Sequence, residues 1–269
     1  MVWLKRIFNF YLEASIHVAL SVYALTFITL TLFDLSYDEN SLYIAFYGTI
    51  LGYNFVKFYP VLKRQRFKFN LKLKLVLFVS FFSGLLLINY ALKIQIKLVL
   101  FLIIFGLITL LYVFPFKSEK TLRTFPRIKI FVIAIVWSSV ALFLPIIQNN
   151  VIVDLDVWLT FIQYFLLVII LMLPFEIRDL KYDLPDLKTL PQVIGIKNTK
   201  FFGTVLLVIF FLIEFFKDET AVSNQIALFV VGLILFVLLR CSSEKQGKYY
   251  SSFFVEAIPV IWLILLLVF

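Results

Sequence analysis

Long apolar runs broken by short polar clusters organise the chain. Nine runs stand out, at 7–32, 41–59, 73–92, 95–115, 129–147, 156–174, 201–217, 222–240 and 253–269. The hydrocarbon core of a bilayer is crossed by about 20 helical residues, each rising about 1.5 Å. Each run therefore predicts a membrane helix, the seventh and ninth being the shortest at 17 residues. The runs are continuous rather than alternating, which argues against barrel strands, and in lipid only helices or closed barrels satisfy their own backbone. The first run follows Lys5 and Arg6, is too long for a signal-peptide core and lacks a small-residue cleavage pattern, so it reads as a retained helix. No low-complexity linker interrupts the pattern. The expectation is an all-α, polytopic membrane protein with one transmembrane domain over residues 1–269.

Composition agrees. The chain is 63% hydrophobic and 15% charged, with a mean hydropathy of +1.04, whereas soluble domains are roughly a quarter charged. The single cysteine, Cys241, excludes an internal disulfide and a cysteine-based metal cluster. Charge then orients the spans. With the N-terminus in the cytoplasm, 22 of the 25 basic residues fall in inside segments and 3, Lys93, Lys97 and Lys217, fall outside. Such asymmetry is the topological signature of Lys and Arg. It predicts an integral membrane protein of bacterial inner-membrane type, N-terminus in and C-terminus out. A basic face beside anionic headgroups accounts for the net charge of +9 without a nucleic-acid partner. The longer connections, 60–72, 116–128 and 175–200, share the inside face, so chemistry is expected there.

One of them carries ordered acids. In "PFEIRDLKYDLPDLKTLP" (174–191), Glu176, Asp179 and Asp183 stand at i, i+3 and i+7, a spacing that puts all three on one helical face. Clustered carboxylates need a cation, and Mg²⁺ takes one or two carboxylates together with substrate phosphates and water. A solvated loop in which Arg178 and Lys181 pair with these acids is the competing reading. Pro174 marks the expected helix–loop boundary, and Pro185 ends any continuation.

The stretch "EIRDLKYDLPDLKTLPQVIGIKNTK" resembles the second aspartate-rich region of UbiA-type intramembrane prenyltransferases. Asp179 and Asp183 match its D-x-x-x-D, Glu176 the polar position before it, Lys188-Thr189-Leu190-Pro191 the run after it, and Gly195 its glycine. The stretch "YVFPFKSEKTLRTFPRIKIFVIAIVW" (112–137) is similar to the family's segment between helices 4 and 5, with Tyr112, Pro115, Arg123, Lys129 and Trp137 in the matching places. The resemblance implies nine helices in two related halves plus a last helix, around a cytoplasm-facing cavity. It also implies transfer of a prenyl group from a prenyl diphosphate to a lipophilic acceptor, aromatic or lipid. Mg²⁺ would be held by Asp179 and Asp183 with Glu176 assisting. The substrates would be bound by Asn54, Lys57, Tyr112, Arg123, Lys129 and Lys188.

The chain departs from the family where the first aspartate-rich motif should stand. "GYNFVKFYPVLKRQRF" (52–67) offers Asn54, but Phe55, Phe58 and Leu62 occupy the acidic positions, and no Asp or Glu occurs between Asn40 and Glu119. Either Lys57, with Lys63, Arg64 and Arg66 nearby, supplies positive charge to the diphosphate directly, or the fold is a non-catalytic isoprenoid- or lipid-binding membrane protein. Within the spans, Glu13 and His17 are one helical turn apart and Glu256 enters the last span at the same end. Ionisable groups in a membrane are costly, so these three are expected to form one polar cluster, with the first and last helices as neighbours. Glu214, near the outside end of its span, is expected to reach interfacial water.

Overall fold

The computed structural model describes residues 2–64, 70–114, 128–183, 187–218 and 220–269. They form ten α-helices and no strand among the described residues: α1 (Val2–Glu13), α2 (Ile16–Leu32), α3 (Glu39–Arg64), α4 (Leu71–Ala91), α5 (Ile96–Val113), α6 (Ile128–Gln148), α7 (Leu155–Asp179), α8 (Leu190–Leu212), α9 (Val222–Cys241) and α10 (Ile258–Val268). A 3₁₀ turn, Ile213–Phe216, extends α8, and a π turn, Tyr250–Val255, leads into α10.

Among the described residues, seven helices are long and apolar enough to cross a membrane, or eight when the bent pair α1–α2 is counted as one span. The predicted span 41–59 falls on α3, which carries Asn54, Lys57 and four tyrosines and is more polar than every other helix but α1. The predicted first span, 7–32, is not one helix. It breaks at Ala14–Ser15, where Ser15 takes a left-handed backbone (φ 61°), and α1 leaves α2 at 56°. A non-glycine residue there costs about 1–2 kcal/mol, and the break leaves carbonyls without helical partners. Residues from α3 answer both needs. Ser15 Oγ donates to Asn54 Oδ1 at 2.8 Å, Asn54 Nδ2 donates to Ala14 O at 3.1 Å, and Lys57 Nζ donates to Glu13 O at 2.9 Å. Asn54 also donates to Ser80 Oγ of α4 at 2.9 Å.

The helices close into a bundle. α2 packs on α3, α6 and α10, while α7 packs on α6, α8 and α9. The first and last predicted spans are thus neighbours, as expected. The main core lies among α2, α6, α7, α9 and α10, with Leu25, Ile28, Leu142, Leu167, Leu228 and Trp262 fully enclosed. A polar knot crosses this apolar centre: Tyr164 donates to Leu25 O at 3.2 Å, and the Thr29 hydroxyl, 3.1 Å from the Tyr164 oxygen, reaches Ala141 O at 3.0 Å. Hydrogen bonds between helices stand in for the hydrophobic drive that lipid removes. α8 approaches α7 and α9 so closely at Gly203 that a Cβ there would stand 2.5 Å from Leu173 and 2.6 Å from Leu239.

Two further expectations need correction. Pro174 does not end its helix: α7 continues to Asp179, since proline forfeits one hydrogen bond of the preceding turn and the flanking turns persist. The connection 175–200 is also partly helical. α8 starts at Leu190 with Thr189 as its cap, where Thr189 N donates to Gln192 Oε1 at 2.9 Å, the reciprocal half of a capping box. α8 is interrupted at Gly195 (φ 78°, ψ 161°), a conformation for which glycine is suited, and resumes at once.

Candidate functional site

The three acids stand at the end of α7. Glu176 is 2% exposed, and its Oε1 lies 3.0 Å from Nζ of Lys129, in the first turn of α6. Asp179 closes α7 and is gripped by its neighbour, Arg178 Nε and Nη2 donating to Oδ1 and Oδ2 at 2.7 and 3.1 Å. The Arg178 guanidinium also lies over the Phe175 ring at 5.0 Å. Beyond the helix the chain turns once more, with Tyr182 N and Asp183 N both donating to Asp179 O at 2.8 and 2.9 Å. That turn keeps Asp183 near the face carrying Glu176 and Asp179, and Glu176 lies within electrostatic reach of both aspartates.

A second polar group faces them from α3 and its neighbours. Lys57, on Glu13 O, is within electrostatic reach of Glu13, Glu256, Lys72 and Lys248. Glu13 pairs with Lys72 at 2.6 Å and with Lys248 at 4.0 Å. Glu256, next after the π turn, is half-buried and within electrostatic reach of both Lys57 of α3 and Arg178 of α7. Tyr53 accepts a hydrogen bond from Trp137 Nε1 at 3.0 Å and feels both Glu256 and Tyr112. Tyr112 is buried and also interacts with Lys129.

Of the sequence-derived site residues, Glu176, Asp179, Asp183, Lys129, Tyr112 and Lys57 thus belong to one linked set. Asn54 is buried, and its amide is spent on Ser15, Ala14 and Ser80. Lys188 is exposed, with a left-handed backbone (φ 43°). Arg123, Arg66, Pro115 and Pro185 lie outside the described residues. Lys72, Lys248, Tyr53 and Arg178 join the set without having been singled out as binding residues. Nothing local marks them, because their partners are far away in sequence.

The expected Glu13–His17–Glu256 cluster is only partly found. The break at Ser15 separates Glu13 from His17, so the one-turn spacing does not bring them together. His17 Nδ1 instead meets Tyr11 OH at 2.7 Å and Nε2 meets Phe253 O at 2.9 Å. Ser21 donates to the backbone oxygen of Glu256. His17 and Ser21 thereby fasten α2 to the last span. Glu214 does not reach water. It is 1% exposed, pairs with Lys217 at 2.9 Å and accepts from Gln163 Nε2 at 3.1 Å and from Asn224. The α8 end folds inward against α7 and α9, and the buried charge is met by partners from three elements.

Among the described residues, no three His, Cys, Asp or Glu side chains converge as a metal-holding group. Glu176 is committed to Lys129. Asp179 and Asp183, hard oxygen donors one turn apart at a partly exposed edge, fit an ion that takes its other ligands from water and phosphate.

No protein-family model and no curated protein matches the sequence. A solved structure is similar in fold, described as a digeranylgeranylglyceryl phosphate synthase in membranes: 97% of each chain aligns, with a TM-score of 0.58 and 18% identity. The chain has the fold of that synthase. The UbiA-like fold implied by the sequence resemblance is therefore supported.

Proposed function

We propose that the protein is a UbiA-like prenyltransferase, moving a prenyl group from a prenyl diphosphate to a lipophilic acceptor within the membrane. The observation that carries this reading is the linked set at the end of α7: the buried Glu176–Lys129 pair with Asp179, Arg178 and Asp183 beside it. It lies in the stretch that resembles the family's second aspartate-rich region. The fold is that of a synthase whose named product carries two geranylgeranyl groups on glyceryl phosphate.

In this reading the diphosphate lies between the two polar groups. Lys57 and Arg178 approach it from opposite sides, Arg178 exchanging its grip on Asp179 for phosphate oxygens. Such planar, two-pronged donation suits both carboxylate and phosphate. Lys129 keeps Glu176 paired and holds the end of α6 against α7. Asp179 and Asp183 would hold Mg²⁺, which supplies charge neutralisation for the departing diphosphate. The lysines around Glu13 put positive charge where the family's first acidic motif would stand, so the diphosphate would rely there on ammonium groups. Tyr53, Tyr112 and Trp137 offer aromatic surface beside the reacting carbon, and ring faces favour a developing allylic cation.

The test is binding of farnesyl or geranylgeranyl diphosphate to the purified protein, with Mg²⁺ and with chelator, for the wild type and for Asp179→Asn with Asp183→Asn. Mg²⁺-dependent binding by the wild type, lost in the variant, is expected. No binding under any condition would overturn the enzyme reading in favour of a non-catalytic lipid-binding protein. Unchanged binding in the variant would remove the two aspartates from the site.

A further inference from the structure

A second, separate group of cations lies where α8 and α9 meet, at the end of both helices. Ile196, Lys197, Lys200 and Arg240 line a surface cleft of about 350 Å³. Lys200 Nζ donates to Arg240 O at 2.7 Å, which ties the start of one helix to the end of the other. Among the described residues, no carboxylate forms an ion pair with Lys197, Lys200 or Arg240. This contrasts with Lys72, Lys129, Lys217 and Lys248, each of which has an acid beside it. Three like charges around one cleft repel, and an anion that enters relieves the repulsion.

The surroundings say which anion. The cleft sits where the apolar parts of α8 and α9 give way to polar chain, which is where headgroups would lie. Below Lys197 an exposed stripe runs down α8 through Phe201 and Val205, and below Arg240 another runs down α9 through Val237 and Leu233. These residues follow at intervals of about one turn, so each stripe stays on one face. Ile196 and Lys197 open the segment of α8 that resumes after Gly195, so its partly positive N-terminal end borders the cleft. A phosphodiester at the cations and acyl chains along the two exposed apolar stripes match a glycerophospholipid. Basic pockets between membrane helices take anionic headgroups.

We infer that Lys197, Lys200 and Arg240 form a binding site for the phosphate of an anionic glycerophospholipid whose acyl chains lie along α8 and α9. The site is distinct from the set around Glu176. Through Lys200 and Arg240 the bound lipid joins α8 to α9 just beyond the Gly195 break, and so braces α8 on α9.

Delipidated protein is tested with phosphatidylglycerol, with phosphatidylcholine and with inorganic phosphate, reading bound lipid by native mass spectrometry and stability by thermal unfolding. One phosphatidylglycerol is expected to be retained about tenfold or more over phosphatidylcholine, with a rise in Tm that millimolar phosphate does not reproduce. Lys197→Gln/Lys200→Gln/Arg240→Gln is expected to abolish the preference, whereas Lys5→Gln/Arg6→Gln/Lys245→Gln, which removes equal charge elsewhere, retains it. The single variant Lys197→Gln breaks no hydrogen bond described within the protein and is expected to weaken the preference several-fold, which keeps the test independent of folding. Equal retention of the two lipids by the wild type, an unchanged preference in Lys197→Gln or in the triple variant, or full stabilisation by phosphate alone would each overturn the assignment.

Discussion

Lys129 of α6 and Glu176 of α7 form an ion pair at 3.0 Å in which the carboxylate is almost wholly enclosed. The pair joins the two helices at the end where the acidic segment emerges. Breaking such a pair from one side leaves an uncompensated buried charge, which costs about 3–5 kcal/mol. Lys129→Met is therefore expected to lower thermal stability in detergent markedly. Lys129→Met combined with Glu176→Gln should recover most of the loss. A double variant no more stable than the single one would show that the pair does not govern this contact.

Asn54 is expected to act on the α1–α2 break. Asn54→Leu keeps the size of the side chain and removes its bonds to Ser15, Ala14 and Ser80. Buried polar groups left without partners cost about 1–3 kcal/mol each. The variant should unfold at lower temperature and expose α1 to protease, with cuts near Ala14. Protection equal to the wild type would show that other contacts hold the break.

At the opposite end of the bundle, the Lys217 side chain is 6% exposed and donates to Gln163 Oε1 at 2.7 Å as well as pairing with Glu214. Lys217→Met leaves Glu214 with only the amides of Gln163 and Asn224. A loss of about 3 kcal/mol is expected, read as a fall in unfolding temperature that Glu214→Gln partly reverses in the double variant.

Gly203 is expected to tolerate no enlargement. Gly203→Val must displace Leu173 and Leu239, and overpacking of this kind costs about 1–3 kcal/mol. Thermal unfolding measures it. Relief by Leu239→Ala in the same chain would identify the colliding side chain.

Uninterrupted apolar stretches were legible because lipid demands them: α4, α5, α6 and α9 begin and end within two residues of the predicted runs. The break at Ser15 was not, since Ala14-Ser15 contains no glycine or proline and its hydrogen-bond partners are about 40 residues away on α3. The same limit hid the fate of Glu214, whose partners Gln163 and Asn224 belong to other helices. The acids at 176, 179 and 183 were legible as a face because their spacing is local. Lys72 and Lys248 meet at Glu13 only through the packing of α1, α4 and the approach to α10, and nothing in their immediate sequence announces it. Pro174 misled for a related reason: it removes one donor, but whether a helix ends there is decided by the packing of the turn that follows.

The elbow between α1 and α2 bears on how molecules could reach the polar groups. Its two loose carbonyls are held by α3 side chains, and its turning residue is bonded to Asn54. α1 is therefore not a door hung on a free hinge. It is a sill built into the frame, with Trp3 and Leu4 facing outward and Glu13 fixed on the inner side by Lys72. A molecule approaching the polar groups past this edge would therefore meet a stationary helix rather than a swinging one.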